Sequence, residues 1–286
     1  MLIIYNPAAG RRRATRLWRV LDVMIHNGVQ LELAETQYAG HATELAREAA
    51  QAGKQLIVAA GGDGTIAEVA AGLAGTESKM GIIPLGTANV LAQELGLPFA
   101  PKDLAAALAF GRTTTIWPGV AQAGAQSRLF VQMLGAGFDA EVVRHLSLPL
   151  KKAIGRNAYV LQSLRESVRY DFPKIHIRID GKVEEAGSVI ITKGRFYAGH
   201  YTLAPDASPT KRGFTVALFD RAGPVSALAY GTALTLDQIF RMPGFRLCEA
   251  QVVELGPCHT QADGDPSESG PLVVQDAQRP IAVVVG

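Results

Sequence analysis

The segment Leu56-Ile57-Val58-Ala59-Ala60-Gly61-Gly62-Asp63-Gly64-Thr65-Ile66-Ala67-Glu68 constrains this chain more than any other. Its apolar run reads as a buried strand, and the apolar-periodic stretch from Thr65 reads as a helix. Three glycines and one aspartate stand between them. Glycines let backbone N–H groups approach an anion with no Cβ in the way, and a helix N-terminus adds partial positive charge. Thr65 and Glu68 have the spacing of a capping box, which predicts a helix that starts at Thr65. Asp63 is then a carboxylate inside a phosphate cradle. Its task there is to hold a metal ion, to bind a ribose hydroxyl or to accept a proton; the alternative is a tight strand-to-helix turn with a solvated aspartate.

Two further loops follow the same grammar. Met80-Gly81-Ile82-Ile83-Pro84 reads as a short strand, Leu85-Gly86-Thr87-Ala88-Asn89 as a loop, and Val90 to Leu95 as a helix. Leu2-Ile3-Ile4-Tyr5 is followed by Asn6-Pro7-Ala8-Ala9-Gly10 and an arginine-rich helix. Glycine and small polar residues at three strand ends point to one crevice, because ligands of open α/β sheets bind beyond the carboxyl ends of the strands. With NPAAG at 6–10, GGDGT at 61–65 and PLGTAN at 84–89, the chain resembles the bacterial diacylglycerol kinase and lipid kinase family, related to sphingosine and ceramide kinases. The resemblance continues through Tyr197-Ala198-Gly199, Leu203-Ala204-Pro205-Asp206-Ala207 and Asp263-Gly264-Asp265-Pro266, in order along nearly the whole chain.

Residues 1–116 alternate strand and helix, with strands near 2–5, 30–35, 55–60, 80–84 and 113–117 and helices near 11–27, 40–52, 65–74, 87–95 and 102–110. Such alternation predicts an open, Rossmann-like α/β domain over 1–117, a mostly parallel sheet with helices on both faces. After Trp117-Pro118 the grammar changes. Ile175, Ile177 and Ile179 alternate with polar residues into Asp180-Gly181, a hairpin turn. Strands at 189–191, 214–219, 252–253 and 281–285, with helices near 151–168 and 224–241, make 118–286 a β-rich domain. The resemblance implies a two-layered β-sandwich there, taking the lipid substrate.

With 286 residues, 48% of them hydrophobic and 19% charged, the chain has enough apolar material for two cores. A net charge of +2 does not by itself imply nucleic acid. Arg11, Arg12, Arg13, Arg16 and Arg19 are read as a solvated helix face or as a contact for nucleotide phosphates or anionic lipid headgroups. Cys248 and Cys258 are the only cysteines, which fits a reducing, cytoplasmic setting without a zinc site. The apolar run at the N-terminus ends at Tyr5 and no run of about 18 apolar residues occurs, so neither a leader nor a spanning helix is expected.

Phosphoryl transfer asks for positioning, charge neutralisation and an acceptor for the hydroxyl proton. The resemblance implies ATP and Mg2+, with Gly61, Gly62, Gly64 and Thr65 cradling phosphates and Glu68 beside them. Thr87 and Asn89 would line the facing loop, with Asn6 and Gly10 at the end of the first strand; Asn6 is equally a turn former. Thr36 precedes Gly40-His41-Ala42-Thr43 at the spacing the family uses to contact nucleotide, or is simply a strand-end threonine. Asp63 is assigned to the metal and, with Asp265, to catalysis. On the residues alone Asp-Gly-Asp-Pro is a turn; in the family's usual Asp-Gly-Glu, the Glu at the position of Asp265 accepts the proton of the lipid hydroxyl, between the domains.

Three departures from the family pattern matter. Asp265 is one methylene shorter than that Glu. Val90 stands where the loop GTxND has its aspartate, which brings the loop closer to sphingosine and ceramide kinases. Thr210-Lys211-Arg212-Gly213 replaces an acidic segment that binds a structural magnesium in some members, so that metal is not expected. The leading reading is an ATP-dependent kinase of a diacylglycerol-like or sphingoid lipid, meeting its substrate at the inner face of a membrane through the arginine helix and the basic stretch Lys151, Lys152, Arg156 and Arg165. A NAD kinase-like phosphotransferase shares GGDGT but is expected to lack PLGTAN and Asp-Gly-Asp-Pro. A nucleotide- or lipid-binding regulator that has lost transfer is the non-enzymatic alternative, motivated by the short Asp265 and the missing acidic loop.

Overall fold

Apolar runs that alternate with helical stretches become neighbouring parallel strands, β1 (Leu2–Tyr5), β3 (Leu56–Gly61) and β4 (Lys79–Pro84), and the more polar β2 (Glu32–Glu35) pairs at the edge, in the order β2-β1-β3-β4. The computed structural model describes residues 1–9, 14–147, 157–267 and 269–286. Gly10, Arg11, Arg12, Arg13, Lys151, Lys152 and Arg156 lie outside the described residues. Helices α1 (Ala14–His26), α2 (His41–Gln51), α3 (Asp63–Leu73), α4 (Val90–Glu94) and α5 (Pro101–Phe110) connect these strands and lead to β5 (Thr113–Ile116). Leu17, Val20, Leu21 and Met24 of α1 and Leu104, Ala105 and Leu108 of α5 share a core with Ile3, Val58 and Ile83. Ile4, Ala59 and Ile82 alternate with those and are equally buried, so both faces of the sheet are covered. A Cβ on Gly72 of α3 would lie 2.5 Å from the Thr43 carbonyl, so α2 and α3 touch backbone to backbone.

The chain forms two units, Met1–Trp117 with Ala277–Gly286, and Pro118–Asp276. The second contains β6 (Gly119–Ala123), β7 (Gln126–Phe130), β8 (Met133–Gly137), β9 (Ile175–Ile179), β10 (Lys182–Ala186) and β11 (Ser188–Thr192). It continues with β12 (Phe196–Tyr197), β13 (Tyr201–Thr202), β14 (Phe214–Phe219), β15 (Phe245–Ala250), β16 (Val253–Cys258), β17 (Thr260–Ala262), β18 (Asp265–Pro266) and β19 (Gly270–Asp276). Two six-stranded antiparallel sheets, β10-β9-β16-β19-β6-β7 and β15-β14-β11-β8-β17-β18, face each other over one core. Ile175, Ile177, Val253 and Leu272 supply it from one sheet and Leu134, Val189, Val216 and Leu218 from the other. This is a sandwich, as the resemblance implied. Helices α6 (Phe138–Arg144), α7 (Asn157–Arg169) and α8 (Pro224–Thr235) belong to the same unit.

The last strand departs from the reading of the sequence. Assigned there to the β-rich domain, β20 (Ile281–Val284) lies instead in the first sheet, parallel to β4 and antiparallel to β5. An apolar run fits any half-buried slot, and this one covers the edge that β4 would otherwise leave unpaired.

Candidate functional site

Four strand ends of the first unit converge on one edge of its sheet. The N–H of Asn6, just past β1, donates to the Ala60 carbonyl at 3.0 Å, and that of Thr36, just past β2, to the Tyr5 carbonyl at 2.8 Å. The N–H of Leu85, just past β4, donates to the Gly61 carbonyl at 2.8 Å. Asn6, Thr36, the Gly61-Gly62-Asp63 turn and the Gly86 loop are therefore brought together.

Helix α3 starts two residues earlier than the capping-box spacing predicts. Its first residue is Asp63, with Gly62 in extended conformation before it and no side-chain cap. Thr65 and Glu68 fail to form the box because each has a tertiary partner. Thr65 Oγ1 accepts the Asn6 Nδ2–H at 3.0 Å, tying the first strand end to the helix. The Glu68 carboxylate accepts the N–H groups of Gly40 at 2.9 Å and Ala42 at 3.2 Å, so it caps α2 rather than its own helix. His41 opens α2, with its Nδ1 accepting the Gln37 N–H at 3.1 Å.

Asp63 joins the two glycine loops. Its Oδ2 accepts the Asn89 N–H at 2.9 Å and its Oδ1 the Val90 N–H at 2.6 Å. The Asn89 side chain is used inside its own loop, accepting the Gly86 N–H at 2.7 Å and donating to the Gly86 carbonyl at 2.9 Å. Buried, with φ of 49°, Asn89 holds the loop closed while Thr87 stands exposed at its tip. A Cβ on Gly86 would lie 2.6 Å from the Gly62 Cα, so glycine is needed there for the loops to meet. By helix geometry the first-turn N–H groups of α3 have no acceptors within the helix.

In the sequence Arg16 is one member of a basic run. Its guanidinium donates to the Pro84 carbonyl at 3.0 Å and lies 5.5 Å from the Phe99 ring centroid, at the end of β4. An arginine run without distinct spacing gave no signal that one member turns inward.

Among the described residues no three His, Cys, Asp or Glu side chains gather as a metal-binding group. Asp63 offers one carboxylate. That suits a magnesium carried in on phosphates, which takes one or two carboxylates and fills the remaining positions with phosphate oxygens and water.

In the second unit, Asp263 and Gly264 have φ of 50° and 85° and form the two-residue turn between β17 and β18. Asp-Gly suits such a turn because both central residues need positive φ. The two aspartates of the motif then part company. The Asp263 carboxylate accepts the N–H groups of Val131, Gln132 and Met133 at 2.7, 2.9 and 3.0 Å, pinning the bend from β7 to β8. The Asp265 side chain is 53% exposed, and its carboxylate lies 3.9 Å from the Arg128 guanidinium.

Behind the turn runs a chain of polar side chains, buried at Gln261 and Asp139 and half-buried at Tyr197, of which only Tyr197 falls in a segment that carries the resemblance. The Gly264 N–H donates to Gln261 Oε1 at 2.8 Å, and Gln261 Nε2 donates to Asp139 Oδ2 at 2.7 Å. The Tyr197 hydroxyl donates to Asp139 Oδ1. Burial pushes the Asp139 carboxyl above its ordinary range, against both hydrogen bonds, which favour the charged form. Burial and the facing Asp139 raise the Tyr197 hydroxyl well above its ordinary value.

Where the acidic segment of the family would stand, the Lys193 ammonium donates to the carbonyls of Lys211 at 3.2 Å and Gly213 at 2.6 Å and to Asp276 Oδ1 at 2.7 Å. An internal cation is therefore held against this loop.

The family described as "Diacylglycerol kinase catalytic domain" matches residues 1–121. The "Diacylglycerol kinase" of Bacillus subtilis (strain 168) is 32% identical over 229 residues, 77% of this chain and 73% of that protein. The "Probable lipid kinase YegS-like" of Pseudomonas putida is 32% identical over 270 residues, 90% of this chain and 85% of that protein. A crystal structure of a diacylglycerol kinase from Bacillus anthracis str. Sterne superposes with a TM-score of 0.75 at 24% identity, covering 100% of this chain and 96% of that one. That likeness extends the agreement in fold to both units.

Proposed function

The chain belongs to the family of the diacylglycerol kinase catalytic domain and is a lipid kinase; from that premise we propose that it transfers the γ-phosphoryl group of ATP to a lipid hydroxyl, diacylglycerol-like or sphingoid. The observation that carries the reading is the Asp63 carboxylate, which locks two glycine loops together at the carboxyl edge of three adjacent parallel strands. Phosphates would lie against the first-turn N–H groups of α3, at Gly62, Asp63, Gly64 and Thr65, with Thr87 on the facing loop. Asn6 holds Thr65 in place, and Glu68 holds the start of α2, next to Thr36. Magnesium bound with the nucleotide, on Asp63, would neutralise charge that develops on the phosphates.

In the proposed transfer the lipid oxygen bonds to the γ-phosphorus, the bond from that phosphorus to the β–γ bridging oxygen breaks, and ADP leaves. The hydroxyl proton passes to Asp265, whose exposed carboxylate is the acid-base group of the motif not committed to backbone N–H groups. Buried Asp139 and Gln261, with half-buried Tyr197, hold Gly264 and so orient the segment carrying Asp265.

A lipid extract incubated with ATP labelled at the γ-position, with NAD also present, tests this reading. Label in the organic phase supports it. Label in NADP favours a NAD kinase-like phosphotransferase, and label in neither favours a binding protein that has lost transfer.

A further inference from the structure

The second unit presents an apolar surface that its fold does not use. Helix α8 has the sequence PVSALAYGTALT, twelve residues without a charged side chain, yet only Tyr230 and Ala233 are buried. Val225 and Leu228, with Leu236 just past the helix end, repeat at i, i+3 and i+11 along its outer face, and Val225 is 80% exposed. A soluble surface helix ordinarily places charges on that face. Helix α7 packs beside α8 and carries a stripe of its own, Val160, Leu164 and Val168, at four-residue spacing, with Val168 82% exposed. Two adjacent helices thus expose six branched aliphatic side chains.

The charges on α7 indicate what covers them. Arg165 and Arg169 are exposed, each one position past a member of the stripe, while the helix's one carboxylate, Glu166, is buried. Within the two helices every exposed charge is a cation, the exposed carboxylates Asp171 and Asp237 standing past the helix ends, and an apolar ridge so flanked matches a bilayer whose headgroups are anionic. Resting on the lipid kinase reading, by which the substrate resides in a bilayer, we infer that α7 and α8 form the surface that inserts into an anionic membrane. The aliphatic side chains enter the acyl boundary, and Arg165 and Arg169 meet the phosphates.

Sedimentation of the full chain with phosphatidylcholine vesicles, with and without phosphatidylglycerol and in the absence of ATP and acceptor lipid, tests the inference. Wild type is expected to bind the phosphatidylglycerol vesicles more strongly, and less so as salt rises. Val225→Asp with Leu228→Asp is expected to lower the partition coefficient roughly 10²-fold, about tenfold per apolar anchor. Arg165→Glu with Arg169→Glu should reduce binding to anionic vesicles alone, by at least about fivefold per arginine. Val183→Asp on β10, another exposed valine of the same unit, should bind like wild type. All these side chains are exposed, so circular dichroism should show folded variants. Unchanged binding by the double aspartate variant overturns the inference, as does a wild type that binds neither vesicle. Conversion of a wild-type dimer to a monomer by that variant, with vesicle binding unchanged, also overturns it and makes the ridge a surface between copies of the chain. The kinase reading fails separately, when detergent-dispersed lipid extract receives no label while vesicle binding persists.

Discussion

The carboxylate of Asp63 accepts the backbone N–H of Val90 at 2.6 Å, twenty-seven residues further along the chain. With the second bond from Asn89, this makes Asp63 a clasp between the two glycine loops as well as the candidate partner of a nucleotide-borne metal. Asp63→Asn keeps the shape but removes the charge and turns an amide donor toward one of two N–H groups. Hydrogen bonds to a charged group contribute about 1.5–3 kcal/mol each. The variant is therefore expected to lose about 1.5–3 kcal/mol of stability, read as a lower urea midpoint, and to use Mg-ATP poorly. An unchanged urea midpoint would show that the clasp contributes nothing to stability.

The contact between Gly62 and Gly86 predicts an asymmetry. A Cβ on Gly86 meets the Gly62 Cα at 2.6 Å and Asn89 Oδ1 at 2.8 Å, whereas one on Gly62 meets only backbone, 3.3 Å away at the nearest. Gly86→Ala is expected to destabilise by ~1–3 kcal/mol, the range of overpacking, and Gly62→Ala by distinctly less. The larger Gly62→Val should obstruct approach to the α3 N–H groups and abolish ATP binding. A folded Gly62→Val chain with wild-type ATP affinity by calorimetry would remove the cradle assignment.

Glu68 stabilises a helix to which it does not belong. Glu68→Ala frees the Gly40 and Ala42 N–H groups at the start of α2 and should reduce stability by ~0.5–2 kcal/mol, as loss of a cap does. Thr65→Ala, which removes the acceptor of Asn6, tests the other half of the displaced box. If the box formed in solution instead, Glu68→Ala would loosen the first turn of α3. Amide exchange separates the two, because faster exchange is expected at Gly40 and Ala42.

These side chains also show where the sequence is readable. In the first unit β1, β3 and β4 are short apolar runs that end in glycine or small-residue loops, so local pattern alone locates them to within a residue, whereas edge strand β2, Glu32-Leu33-Ala34-Glu35, is not an apolar run. The start of α3 was misread because Thr65 and Glu68 satisfy a local rule while long-range partners compete for both side chains. Strand β20 was misplaced because an apolar run specifies burial but not its neighbours in the sheet. Strands β6 to β8 were not singled out, since Met133-Leu134-Gly135-Ala136-Gly137 lacks alternation and its small residues leave room for Asp139. The buried link from Gln261 to Asp139 spans 122 residues, and no spacing rule reaches that far.

Asp139 gives stability a pH dependence whose sign is fixed by its burial. Its carboxyl is held above the ordinary 3.8, so between that value and the folded one the folded chain keeps a proton that the unfolded chain has lost. Stability from this group is full below 3.8 and falls as pH rises through the folded value. Asp139→Asn does not titrate and should lack that fall, so its urea midpoint gains on that of wild type as pH rises. A constant difference between the two midpoints across that window would rule out the raised carboxyl.

The final prediction separates the two aspartates of Asp-Gly-Asp-Pro. Asp263 accepts three backbone N–H groups, and Asp263→Asn leaves at least one of them facing a donor; a loss of ~1.5–3 kcal/mol is expected, with turnover falling as the bend from β7 to β8 loosens. Asp265 has an exposed carboxylate and a distant arginine, a pairing that contributes only ~0–1 kcal/mol to folding. If it accepts the proton of the lipid hydroxyl, Asp265→Asn should leave the urea midpoint and ATP binding near wild type while cutting turnover ~10²–10⁴-fold, the usual contribution of a positioned base. Asp265→Glu should be tolerated, because it restores the longer side chain of the family pattern. The decisive measurement is turnover on dispersed lipid alongside calorimetry with ATP. Near-normal turnover by Asp265→Asn would defeat the base assignment and leave Asp63, placed at the phosphate loops, as the better candidate although its carboxylate also accepts two backbone N–H groups.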